Sequence, residues 1–161
     1  WRVGKKSKKQ HFLSRDKSAQ IQPWFSNESL DFCENKDFIY ALPKAFDKRQ
    51  QSLLAHLPTL SQGVPIGKLL KKGLVPEPAL AFSNGLSRNI SRVALSYEEA
   101  QKYLKKTLGQ LDAPNGWHVV THQDIGLGWV KVMPGRFNNY YPNSWRILMG
   151  LRVQDPVLSL R

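Results

Sequence analysis

One cysteine in 161 residues rules out an intramolecular disulfide framework. No run approaches the ~20 apolar residues that a membrane span needs. The N-terminus lacks the apolar middle of a signal peptide, so the expected compartment is a reducing cytoplasm. Acid is scarce as well: 12 Asp and Glu stand against 24 Lys and Arg, a formal charge of +12 with a pI near 10.0. A field of that sign attracts polyanions and speeds encounter with them, without dictating a fold. Nucleic acid is therefore the leading partner class. An anionic membrane surface is the other one, but it calls for an amphipathic helix with a large apolar face, and membrane binding is not expected.

Signatures of catalysis are missing too. No HExxH, CxxC or GxSxG occurs. Gly126-Leu127-Gly128 lacks the third glycine and the following helix of a dinucleotide loop. Asp31, Glu34 and Asp37 read as a solvated acidic patch. His118 and His122, four apart on a strand, would lie about 13 Å apart, too far to share a metal. Cys33 sits in Asp-Phe-Cys-Glu, where flanking acids would raise its thiol pKa and leave it idle. No catalytic or metal-binding residue is assigned, and the chain is not expected to be catalytic by itself. A free-standing enzyme with a dispersed site stays open as an alternative.

What is present is concentrated between Thr121 and Trp145, THQDIGLGWVKVMPGRFNNYYPNSW. The β-type runs Trp117–His122 and Leu127–Met133 flank Gln123-Asp124-Ile125-Gly126 and read as a hairpin. Gly126 is expected at positive φ in the turn, and Gly128 at a bulge or a close approach, RNA being one candidate for what approaches. The segment Arg136 to Pro142 reads as a loop of guanidinium, carboxamide and aromatic groups. Such a loop offers phosphate contacts, base-edge hydrogen bonds and stacking faces together. Lys131 reads either as a strand lysine with a solvated head or as a phosphate contact. Asn138 reads either as a cap on its own loop or as an RNA contact. Trp145 or Phe137 would anchor the loop in the core.

Upstream, Ser96-Tyr97-Glu98-Glu99 is a capping box opening a helix whose apolar stripe is Ala100, Leu104, Leu108 and Leu111. Asp112 to Gly116 ends it. Val93 to Leu95, Asp37 to Leu42 and Gly63 to Leu70 read as strands. Pro78 opens a short helix through Phe82. Residues 1–20 carry too few apolar side chains to offset the entropy of ordering and read as a mobile basic linker. The fold class is α+β: linker 1–20, accessory subdomain 21–90, a second domain 91–150, and a tail or edge strand 151–161.

These residues resemble the C-terminal region of bacterial Sun/Fmu-class RNA cytosine-C5 methyltransferases, on the branch of ribosomal small-subunit methyltransferase F. The resemblance rests on Gly63-x3-Gly67-Lys68, Leu74-Val75-Pro76, Leu80-Ala81-Phe82-Ser83 and Val93-Ala94-Leu95 entering the capped helix. Its most specific part is Thr121, Ile125-Gly126, Gly128, Lys131, Asn138-Asn139-x-Tyr141-Pro142 and Trp145-Arg146. The resemblance implies a PUA-like pseudo-barrel at 91–150, with one capped helix and a C-terminal hairpin, after a small mixed subdomain that helps grip the substrate. It implies RNA, ribosomal in kind, as partner, and an upstream methyltransferase domain that binds S-adenosylmethionine. That domain's Pro-Cys and Thr-Cys motifs do not occur here, so no cofactor is assigned to this chain, which is expected to be a monomer. The RNA-binding candidates are Lys68, Lys71, Lys72, Lys131, Arg136, Asn138, Asn139, Tyr141 and Arg146. A basic protein–protein adaptor associated with the ribosome is the alternative function.

Overall fold

The computed structural model describes residues 11–26, 29–44 and 63–149. The chain divides after Asn89 into two compact units. The first is a five-stranded antiparallel meander: β1 (His11–Phe12), β2 (Leu30–Asn35), β3 (Phe38–Pro43), β4 (Val64–Leu70) and β5 (Gly73–Pro76) pair in chain order. Its buried side chains include Ile21, Phe32, Cys33, Ile39, Ile66, Leu74 and Leu80. Helix α2 (Pro78–Ala81) begins on its proline, whose missing N–H is no loss in a first helical turn.

Part of the stretch expected to be a mobile linker is structured. β1 and helix α1 (Arg15–Ile21) occupy it, with the Ser14 hydroxyl accepting the Lys17 amide as N-cap. The helix is anchored by Ile21, which is fully buried; one well-placed apolar residue and a cap suffice. Residues 1–10 and 151–161 lie outside the described residues. β2 was not read as a strand, because Asp31 and Glu34 disguise its apolar Phe32 and Cys33. The Cys33 thiol is raised above its usual value by burial, not by the flanking acids.

The second unit is a four-stranded sheet ordered β6 (Arg92–Ala94), β7 (Gly116–His122), β8 (Ile125–Met133), β9 (Arg136–Asn139). β6 runs parallel to β7, and the other pairs are antiparallel. Helix α3 (Tyr97–Leu104) links the parallel pair. Its capping box is complete: the Ser96 hydroxyl accepts the Glu99 amide at 3.3 Å, and the Glu99 carboxylate accepts the Ser96 amide at 2.8 Å. Ala100 and Tyr103 pack with Leu95 against Val120, Val130 and Val132 on one side of the sheet.

The helix is shorter than its sequence pattern. It stops at Leu104 because Lys106 turns left-handed, φ 61°. The Thr107 amide then bonds the Lys102 carbonyl and the Lys106 amide that of Tyr103, a Schellman closure carried by lysine instead of glycine. Leu108 and Leu111 lie beyond the helix but still pack against its core.

The hairpin β7–β8 turns on Gln123 and Asp124, both at positive φ, 48° and 62°, as a two-residue type I′ turn requires. Gly126 is not the turn residue; it pairs with Thr121 inside the ladder. Val120 pairs with Gly128, so Leu127 is an extra residue and the bulge expected near Gly128 is real. What approaches that glycine is not RNA: a methyl group there would stand 2.5 Å from the Tyr103 hydroxyl oxygen. Among the described residues no helix is long and apolar enough to cross a membrane.

Candidate nucleic-acid interface

The segment read as a loop after Met133 is largely a third strand. Pro134 and Gly135 make the turn, glycine taking the positive φ of 74°, and β9 then pairs with β8. Strand geometry sorts its side chains by parity. Asn139 and Tyr141 fall on the α3 side; Arg136, Asn138 and Tyr140 fall on the other. The pairings Trp117↔Lys131 and Lys131↔Asn138 place three side chains in one row across that second side.

Trp117 organises this face. Its ring meets Tyr140 at 4.6 Å between centroids and the fully buried Trp129 edge-on at 6.4 Å. The Lys131 ammonium stands 5.2 Å from the Trp117 ring centroid. Cation–π attraction of this kind positions a charge without neutralising it. Asn138, in the row, and Arg136, beside it, are exposed. β7, β8 and β9 contain no Asp or Glu, so nothing on these strands offsets Lys131 and Arg136. The face therefore presents two cations, a carboxamide and two aromatic rings.

The nine candidates divide into distinct places. Lys131, Arg136 and Asn138 share the face just described. Asn139 is engaged internally: its amide donates to the Tyr103 carbonyl at 2.8 Å, and its oxygen accepts the Tyr141 amide at 2.8 Å. It is Asn139, and not Asn138, that caps backbone. Tyr141 packs edge-on against Tyr103 at 5.7 Å and against Trp145 at 6.1 Å. Arg146 is exposed after the 3-10 turn Asn143–Trp145. Phe137 is the loop's anchor in the core, whereas Trp145 is half exposed. Lys68, Lys71 and Lys72 belong to the first unit, at the end of β4 and in the β4–β5 turn.

Trp117 and Tyr140 were missed as site residues. The signal was available, since counting back from the turn through one bulge sets Trp117 opposite Lys131.

His118 and His122 are used structurally. His118 Nε2 donates to the Pro114 carbonyl at 2.6 Å, and His122 Nδ1 lies 2.9 Å from the Leu95 carbonyl. Gly126 and Gly128 both lie within β8, and a side chain at Gly128 would meet the Tyr103 hydroxyl.

A β-α-β unit continued by two hairpin strands, with one capped helix on its apolar side, defines the second unit as an α+β, PUA-like module, a class of domain that binds RNA. The model of the PUA domain of the methyltransferase RsmF matches residues 91–147, so the second unit is similar to that PUA domain. A search of curated proteins found no match.

Proposed function

We propose that the chain is the RNA-gripping region of a ribosomal RNA cytosine-C5 methyltransferase, acting as a monomer in the cytoplasm. It would hold the substrate for an upstream S-adenosylmethionine-dependent domain in which a cysteine thiolate does the chemistry. The observation that carries the RNA contact is the Trp117–Lys131–Asn138 row, flanked by Arg136 and Tyr140 on acid-free strands. Each group has a role. Lys131 and Arg136 take phosphates, Arg136 with a planar fork and Lys131 as a point charge. Asn138 offers both donor and acceptor to a base edge, and the Trp117–Tyr140 pair offers ring faces to an unpaired base.

The test is titration of a stem–loop RNA with Trp117→Ala and Arg136→Ala at two salt concentrations. Trp117→Ala should weaken binding by about 1–3 kcal/mol with little change in salt slope, as loss of one stacked base would. Arg136→Ala should flatten the slope by about one phosphate contact. Folded variants that both bind like the parent chain would remove this face from the reading.

One observation favours the adaptor reading as a second possibility: Trp145, Ile147, Leu148 and Met149 expose apolar surface in succession. A chain that binds ribosomal protein with no salt-dependent affinity for RNA would establish that reading instead.

A further inference from the structure

We propose that the first unit carries a second RNA contact of its own, a phosphate-binding edge at the hairpin end of its sheet. It rests on the RNA reading above but uses none of the same residues. In an antiparallel meander, successive turns alternate between the two ends. The β2–β3 turn, with Lys36, and the β4–β5 turn, with Lys71 and Lys72, therefore fall at the same end. The Lys68 ammonium is held there too, 4.4 Å from the ring centroid of Phe38, the first residue of β3. His11 pairs with Glu34, so β1 also begins at this end.

The charge is only partly compensated: Asp37 shares the β2–β3 turn with Lys36, and three lysines remain against it. Glu34 is already engaged by Lys17 at 3.4 Å. Lys36, Lys71 and Lys72 are exposed, and no described acid pairs with any of them. Folding does not explain Lys36 either. It sits at φ 57°, a conformation that asparagine or glycine adopts at less cost. The two turns are about two strand spacings apart, roughly 10 Å, a separation within reach of phosphates two nucleotides apart on one strand. Lysine ammonium groups are point charges without a fork to read base edges. The edge would therefore contact backbone without regard to sequence, complementing the aromatic face of the second unit.

The experiment compares the whole chain with Lys36→Asn/Lys71→Ala/Lys72→Ala on two labelled stem–loop RNAs of unrelated sequence, across a salt series. Asparagine is chosen at position 36 so that the left-handed turn is kept. The triple variant should retain the parent's melting temperature, lose affinity equally for both RNAs, and flatten the plot of log affinity against log salt by about two to three, near 0.7–0.9 per phosphate. Unchanged affinity and slope in the folded variant would overturn the edge while leaving the second-unit face intact. A loss confined to one of the two RNAs would overturn its backbone character. A parent chain that binds neither RNA would remove the underlying reading as well.

Discussion

The Tyr103 hydroxyl donates to the Trp129 carbonyl at 3.1 Å, crossing from α3 to β8 through the space left by the missing side chain of Gly128. Burial pushes this phenol well above the ordinary tyrosine range, and the neighbouring Tyr141 adds to the shift. It therefore stays a neutral donor at any physiological pH. This hydrogen bond, which glycine at position 128 allows, joins Asn139's bond to the Tyr103 carbonyl in tying helix to sheet.

Gly128→Ala should accordingly be destabilising by about 1–3 kcal/mol, through overpacking against Tyr103 and through a φ of 152° that side chains avoid. Tyr103→Phe in the same chain removes the clashing oxygen and should recover part of the loss. Denaturant unfolding of the two single variants and the double would show the coupling; strictly additive losses would contradict it.

Asn138 and Asn139 are neighbours with opposite assignments. Asn139→Ala strips a partner from both the Tyr103 carbonyl and the Tyr141 amide, and should cost about 1–3 kcal/mol of stability. Asn138→Ala is on the exposed side and should leave stability within about 0.5 kcal/mol. Thermal melts separate the two, and equal melting temperatures would undo the parity assignment of β9.

The capping box gives a pH dependence with a definite sign. Hydrogen bonds from the Ser96 backbone and side chain hold the Glu99 carboxyl below the ordinary glutamate value. A depressed folded value contributes stability above the unfolded pKa and loses it as pH falls through the folded one. The melting difference between the parent chain and Glu99→Gln should therefore be largest near neutrality and shrink in acid. A constant difference across that range would be inconsistent with the carboxylate acting in its charged form. Ser96→Ala should cost about 1 kcal/mol at neutral pH.

Cys33 is buried with its thiol raised by desolvation, so alkylation by iodoacetamide should be slow in the native chain and fast in urea. Rapid native labelling would mean that β2 opens readily.

Where side-chain spacing alone carried the information, the fold was legible. Ser96 to Glu99 announces its helix, and the branched runs flanking Gln123 and Asp124 announce their hairpin. Legibility failed where backbone conformation was taken up by residues that do not advertise it. Lys106 ends α3 in a left-handed turn that a sequence reader reserves for glycine, and Gln123 and Asp124 do the same in the hairpin. β9 was hidden differently: Arg136, Asn138 and Asn139 lack the branched side chains of a strand, and its pairing comes from the neighbouring β8. For the site, residue chemistry was readable but facing was not, so Asn139 and Tyr141 were grouped with Arg136 although they point into the module.

Leu127, the extra residue of the β8 bulge, acts as a phase shifter. Were Leu127 to take a place in the ladder, Trp117 would lie opposite Val130, and Lys131 would be carried to the side that α3 covers. The facing of the Trp117–Lys131–Asn138 row is thus fixed by a bulge several residues away that belongs to neither the row nor the turn. Drift in the identity of position 127 should be tolerated, as should its deletion, which leaves Val120 opposite Gly128; drawing it into the ladder is what would turn the module's cationic lining inside out.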